Sequence, residues 1–62
     1  MTLQQFLSKI ENGSTHILLF NSLDGTVILK TIWHNTIPHM YYEYEIETIQ
    51  VLDYEVRLGI HE

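Results

Sequence analysis

The fold is decided by residues 15–33, which have the sequence THILLFNSLDGTVILKTIW. Two apolar runs, of which the second is rich in β-branched residues, flank a stretch that ends in Asp24-Gly25, a pair that tolerates the left-handed backbone of a tight turn. Such a pattern is typical of a β-hairpin. We therefore predict one strand over residues 15–20 and a second over residues 26–33.

Both faces of this hairpin are apolar, because apolar side chains occupy odd and even positions alike. One helix covers only one face of a sheet. The other face then meets a second chain or is covered by the loop around Pro38. We expect the first outcome, a homo-oligomer that is most simply a two-fold dimer.

The N-terminal residues predict a helix over residues 3–11. Thr2 and Gln5 have the spacing of a capping box, in which each side chain accepts from the other residue's backbone N–H. Gly13 suits the positive φ that follows a helix end. The apolar residues of this helix form one stripe that would pack on the sheet: Leu3, Phe6, Leu7 and Ile10.

The C-terminal part predicts a loop around Pro38, then a hairpin. Its strands cover residues 44–51 and 55–61, joined by a tight turn at 52–54. Ile46 and Ile49 have opposite parity, so a β-bulge near Glu47-Thr48 is needed to place them on one face. The predicted fold is a single α+β domain over residues 1–62, an N-terminal helix packed on a four-stranded antiparallel β-meander.

Charge and composition exclude several classes of function. The net charge is −5, and residues 41–62 carry all of it because residues 1–40 sum to zero. A basic patch for direct nucleic-acid binding is therefore not expected. The absence of cysteine excludes disulfides and thiolate metal sites. Without an apolar leader or membrane-length run, the sequence predicts a cytoplasmic protein that does not contact a membrane.

The polar residues suggest no catalytic centre. The carboxylates of Glu43, Glu45 and Glu47 alternate along a strand and would be solvated, so their pKa values would suit acid–base catalysis poorly. His34 and His39 lack the i, i+4 spacing of two ligands on one helix face. We therefore predict no catalytic residues, no metal ligands and no cofactor, and expect that the protein is not an enzyme.

Aromatic residues crowd the beginning of the acidic half. Tyrosine and tryptophan combine apolar area with a polar group, which suits protein interfaces. The alternative for Tyr44 and Tyr54 is cross-strand packing in the core. The predicted partner-binding surface consists of Trp33, Met40, Tyr41, Tyr42, Glu43 and Glu45.

The whole pattern resembles a family of very small proteins that are encoded by phages and mobile elements of Gram-positive bacteria. The resemblance rests on Thr2-Leu3, the segment ending in Asn12-Gly13, the hairpin, Ile37-Pro38, Tyr44-Glu45-Ile46 and the final alternating strand. It implies an accessory phage role in the host cytoplasm, such as modulating or inhibiting a host or defence protein. It implies no site residues.

Two other functions compete with this one. Glu43, Glu45 and Glu47 could imitate the phosphates of a nucleic acid and so inhibit a nucleic-acid-binding protein. His34 and His39 could instead help to bind a small ligand or a metal at a subunit interface. Binding by a mimic would weaken strongly with salt, whereas an aromatic interface would tolerate it.

Overall fold

A computed structural model describes residues 1–61, which form an α+β structure with one short helix and a four-stranded sheet. Two 3₁₀ helices lie in the connection between the second and third strands. The elements are α1 (Leu3–Leu7), β1 (His16–Asn21), β2 (Val27–Thr31), η1 (His34–Thr36), η2 (His39–Tyr41), β3 (Ile46–Val51) and β4 (Glu55–Ile60).

The sheet is mixed, so the predicted antiparallel meander is wrong. Its strand order is β2-β1-β4-β3; β1 pairs antiparallel with β2, β3 pairs antiparallel with β4, and β1 pairs parallel with β4. The two central strands supply fully buried side chains such as Leu19 and Leu58, whereas β2 and β3 supply none. Placing β1 and β4 side by side at the centre buries the most apolar surface, which leaves the more polar strands at the edges.

The capping box that the sequence predicts is confirmed. The Thr2 N–H donates to Gln5 Oε1 at 2.9 Å, and the Gln5 N–H donates to Thr2 Oγ1 at 3.2 Å. However, the helix ends at Leu7 rather than at residue 11. Beyond it the Ile10 N–H bonds the Leu7 carbonyl, three residues back, so the chain continues as tighter turns. The predicted stripe still packs on the core, with Leu3 and Leu7 buried and Phe6 and Ile10 half-buried.

Gly13 has the predicted positive φ, at 85°, but in a different setting. It follows the turns after α1, and its N–H donates to the Ile32 carbonyl at 2.8 Å. The Trp33 ring lies so close above it that a β-carbon at this position would collide with the ring. This glycine is therefore needed both for its backbone angle and for the close approach of the tryptophan.

The predicted β-bulge in β3 is confirmed by the register with β4. The pairing shifts between Ile46 and Thr48, so that Ile46 lies opposite Ile60 and Ile49 opposite Leu58 on the same face. A second irregularity, which the sequence analysis did not predict, lies in the first hairpin. There Leu19 pairs with Leu29 but Phe20 with Val27, so Val27 and Leu29 lie on opposite faces.

The core lies on one face of the sheet. Residues 32–45, here called the crossover segment, connect the two edge strands β2 and β3, and their Ile37 is 1% exposed within the core. The loop around Pro38 therefore folds over the same face as the helix, and no segment of residues 1–61 is layered on the second face of the first hairpin. The buried cluster consists of Leu3, Leu7, Ile17, Leu19, Ile37, Val56, Leu58 and Ile60.

Candidate functional site

The crossover segment is long for a connection without a strand, yet it has a defined conformation. It turns twice, at η1 and η2, and extended backbone at Ile37 and Pro38 separates the turns. The Ile37 N–H donates to the His34 carbonyl at 3.1 Å, and the Tyr42 N–H donates to the His39 carbonyl at 3.0 Å. Connections longer than about 12–15 residues are uncommon in compact domains and are usually functional or disordered. This one is folded.

Side-chain hydrogen bonds hold the first part of the segment to its surroundings. The Trp33 N–H donates to Thr31 Oγ1 at 3.0 Å, and the Thr36 hydroxyl donates to the Trp33 carbonyl at 2.7 Å. From the turn before β1, Asn12 Oδ1 accepts the His34 N–H at 2.7 Å. The backbone on both sides of the Trp33 side chain is therefore fixed by neighbouring parts of the chain.

The tyrosines hold the second part of the segment. The Tyr42 hydroxyl donates to the His34 carbonyl at 3.0 Å and so ties η2 to η1. The Tyr42 ring also contacts the His39 ring, with centroids 4.9 Å apart, and Tyr41 meets Tyr44 edge-on at 5.7 Å. Tyr41, Tyr42 and Tyr44 are all half-buried and packed against the core. Tyr54 is 85% exposed in the β3–β4 turn, so the alternative of a buried Tyr44–Tyr54 pair is wrong.

The other predicted partner-binding residues lie at the surface. Trp33 is 51% exposed although one side of its ring packs on Gly13, and Met40 is 63% exposed on η2. Glu43 and Glu45 are exposed as well. The six predicted site residues thus divide into two half-buried tyrosines that pack inward and four side chains that solvent reaches.

The carboxylates near this surface differ in their partners. Glu45 Oε2 lies 3.0 Å from the N-terminal ammonium, and the backbone of Glu45 bridges to Thr2. Glu47, at the bulge, accepts the Ser22 hydroxyl at 2.7 Å and lies 3.8 Å from His61 Nδ1. Glu43, Glu45 and Glu47 therefore do not form a uniform row of solvated charges.

Two of the three basic side chains lie together on the opposite, uncovered face of the sheet. Lys30 Nζ is 3.2 Å from one Glu55 oxygen, and Arg57 Nε is 2.9 Å from the other. The Arg57 hydrogen bond, with that of Lys30, lowers the pKa of the Glu55 carboxyl below its ordinary value. Glu55 thus balances one of these two positive charges beside Leu18 and Phe20.

The histidines of the segment occupy different environments. His34 is half-buried and its Nε2 is enclosed without a hydrogen-bond partner in the described chain, whereas His39 is exposed. Among residues 1–61 no three histidine, aspartate or glutamate side chains come together in a group suited to a metal ion. In the same residues no helix has the length and apolar character that crossing a membrane requires.

Comparisons of this chain with protein-family models, with curated proteins and with solved structures find no match. Evidence for a function therefore comes from the geometry described above.

One exposed apolar surface was not anticipated from the sequence. It follows the free edge of β3 and the turn after it, where Ile49 is 48% exposed, Val51 75% and Leu52 46%. The parity of Ile49 and Val51 places them on the core face, as the bulge predicts. They remain exposed because no part of residues 1–61 covers this end of the sheet. The apolar character of the strand was visible in the sequence, but the extent of the covering layer was not.

Proposed function

We propose that the protein is a small non-enzymatic binding module whose crossover segment holds a protein partner. One observation carries this proposal: a long connection is fixed on several sides, yet it leaves two large apolar side chains, Trp33 and Met40, more than half in solvent. Tryptophan is enriched among the residues that dominate binding energy, and methionine adapts to varied partner surfaces.

Fixing the segment before binding favours affinity. A floppy loop loses conformational entropy when it docks, on the order of 0.5–1.5 kcal/mol for each immobilised side chain. Here the tyrosine hydroxyl, the threonine hydroxyls and the buried Ile37 have already restricted the segment. The half-buried tyrosines therefore support the surface, while Trp33 and Met40 contact the partner.

Electrostatics supports a basic partner. Residues 41–62 carry the whole net charge of −5, and Glu43 lies exposed close in sequence to Met40. Exposed carboxylates at the rim of an interface attract a basic protein and raise the association rate. Glu45 is paired with the N-terminal ammonium, and Glu47 accepts a hydrogen bond from Ser22 within the chain. These contacts weaken the competing proposal of a nucleic-acid mimic, because a mimic needs a regular row of available negative charges.

The cellular setting of this proposal comes from the resemblance to small proteins of phages and mobile elements. In that setting the partner is a host or defence protein, and binding modulates or inhibits it. The resemblance contributes no residue to the site, so the surface and its setting are tested separately.

The experiment is comparative capture from a Gram-positive bacterial lysate, with bound proteins quantified by mass spectrometry. Met40→Asp places a charge at the proposed contact. Leu23→Asp is the matched control, because Leu23 is 69% exposed in the β1–β2 turn, away from the segment. We expect a partner that is retained by the wild type and by Leu23→Asp but lost by Met40→Asp. Equal capture by all three proteins would place the binding surface elsewhere.

A further inference from the structure

β3 is an edge strand whose free backbone groups can be assigned. The Leu52 N–H donates to the Glu55 carbonyl at 2.8 Å and closes the hairpin turn. In an antiparallel pair hydrogen-bonded and non-bonded residues alternate. Counting back from Leu52 in steps of two, the backbone N–H and C=O groups of Gln50 and of Thr48 face β4. Those of Ile49 and Val51 therefore point away from the sheet.

The side chains along this edge are apolar on one face. Ile49 lies opposite Leu58 and Val51 opposite Val56, which places both on the core face of the sheet. Even so they are 48% and 75% exposed, respectively. An unpaired strand with exposed β-branched side chains is a template for another strand.

The two edges of the sheet differ in charge. Residues 48–52 contain no charged side chain. On the opposite edge β2 carries Lys30, whose side chain is 58% exposed, and an edge lysine discourages strand pairing. Two copies of β3 can therefore pair over residues 48–52 without like charges meeting within that segment.

We infer that two copies of the chain pair antiparallel through β3, with the two-fold axis at Gln50, and form one continuous eight-stranded sheet. Opposed residues must lie on the same face, so their numbers must have the same parity along the regular part of the strand. Centring the pair on Gln50 places Ile49 of each copy opposite Val51 of the other. These are the residues whose backbone groups point outward, so each such pair exchanges two hydrogen bonds.

This register also forms an uninterrupted apolar row from the Ile49 and Val51 side chains of both copies. Centring on Ile49 would instead oppose Val51 to Glu47 of the other copy, an apolar group to a charged one. Within residues 48–52 the Gln50 register therefore matches side chains as well as backbone groups, and Glu47 of each copy lies opposite Asp53 of the other beyond the ends of that segment.

A modest dimer needs only a small part of the surface of this chain. A specific interface needs about 1,000 Å² in total, or roughly 500 Å² from each copy. That is about an eighth of the 4059 Å² surface of this chain. The five residues 48–52 that pair in this register are about 17 Å long, and the exposed side chains of Ile49, Val51 and Leu52 add to the buried area. Each copy carries −5, so added salt should strengthen the association.

The axis at Gln50 provides a direct test, because the natural chain has no cysteine. Gln50 would form a non-hydrogen-bonded pair with its own copy, with Cα atoms about 4.5 Å apart, within the range that a disulfide spans. Under mild oxidation Gln50→Cys should become a covalent dimer. Thr48→Cys is the matched control, since Thr48 would face Leu52 of the other copy and should stay monomeric. Equal cross-linking of both variants, or none of Gln50→Cys, would overturn the inference.

Light scattering over a range of concentrations tests the same interface without chemistry. Val51→Lys should raise the dissociation constant at least about tenfold, because the lysine blocks the edge. Val27→Lys, on the uncovered face of the first hairpin, should leave it unchanged. The reverse result would assign the interface to that face, and a wild type that remains monomeric at every concentration would also refute β3 pairing. The inference is independent of the partner surface proposed above.

Discussion

Replacing Tyr42 by phenylalanine removes one oxygen from the crossover segment and leaves the ring in place. That oxygen donates to the His34 carbonyl at 3.0 Å in a partly buried position and joins η2 to η1. A hydrogen bond of this kind contributes about 1 kcal/mol net, and the His34 carbonyl still accepts the Ile37 N–H when the hydroxyl is removed. We therefore expect Tyr42→Phe to lower the free energy of unfolding by about 1 kcal/mol.

For a domain of this size, each kcal/mol lost from the free energy of unfolding lowers Tm by about 4–8 °C. Thermal and urea unfolding measure it, and hydrogen exchange should show faster opening of the amides in the crossover segment. Tyr54→Phe is the matched control. Because Tyr54 is 85% exposed, the stability of this variant should differ little from that of the wild type. Unchanged stability of Tyr42→Phe together with weaker partner binding would refute this reasoning, because the hydroxyl would then serve the partner instead of the fold.

Three further predictions concern the core, the pH dependence and the centre of the sheet. Leu3→Ala should lower the free energy of unfolding by about 2–5 kcal/mol and Phe6→Ala by clearly less, since Leu3 is 0% exposed and Phe6 is only half-buried. Denaturant unfolding that ranks the two variants the other way would contradict this packing. Arg57 and Lys30 lower the pKa of Glu55, so their ion pairs with Glu55 stabilise the fold fully above the ordinary pKa near 4.3, and this stabilisation is lost as pH falls through the lowered pKa. Glu55→Gln should therefore flatten the dependence of stability on pH below about pH 5. An unchanged acid slope would argue against these ion pairs. Gly59→Ala should cost about 1–3 kcal/mol, because a β-carbon there meets the Thr48 hydroxyl, and adding Thr48→Ala should restore part of the loss in the same unfolding assay; no rescue would mean that another contact sets the cost.

Local features of the fold were predictable because neighbouring residues determine them. The capping box of Thr2 and Gln5, the positive φ of Gly13 and the bulge before Ile49 each follow from a few adjacent side chains. The helix was predicted too long because the apolar stripe continues to Ile10, whereas the backbone tightens after Leu7. A stripe records which residues face the core and does not distinguish an α-helix from successive turns.

Strand order was not predictable in the same way. Alternation in β4 identifies which of its residues are buried, but it does not identify the neighbouring strand. The parallel pairing of β1 with β4 depends on the crossover segment passing over the core face, anchored by Ile37. That passage arises from contacts between distant parts of the chain, and nothing in the local pattern around Pro38 specifies it.

The candidate site was predicted as one aromatic and acidic surface, and the structure places its residues in two settings. Tyr41 and Tyr42 resemble Trp33 and Met40 in composition, so sequence alone could not separate the supports from the exposed side chains. Burial separates them, because both tyrosines pack against the core cluster. The apolar edge of β3 escaped notice because the sequence pattern shows which face Ile49 and Val51 lie on but not what covers that face.

The measurement that tests the proposed function most directly uses the single tryptophan of the chain. Its indole N–H gives one cross-peak in an ¹⁵N-labelled sample, which reports on position 33 alone. The protein captured by the wild type is purified and titrated into this sample. The proposal predicts that the indole peak shifts or broadens in proportion to complex formation, and that Met40→Asp abolishes the change. A complex that forms while the indole peak stays unchanged would contradict it.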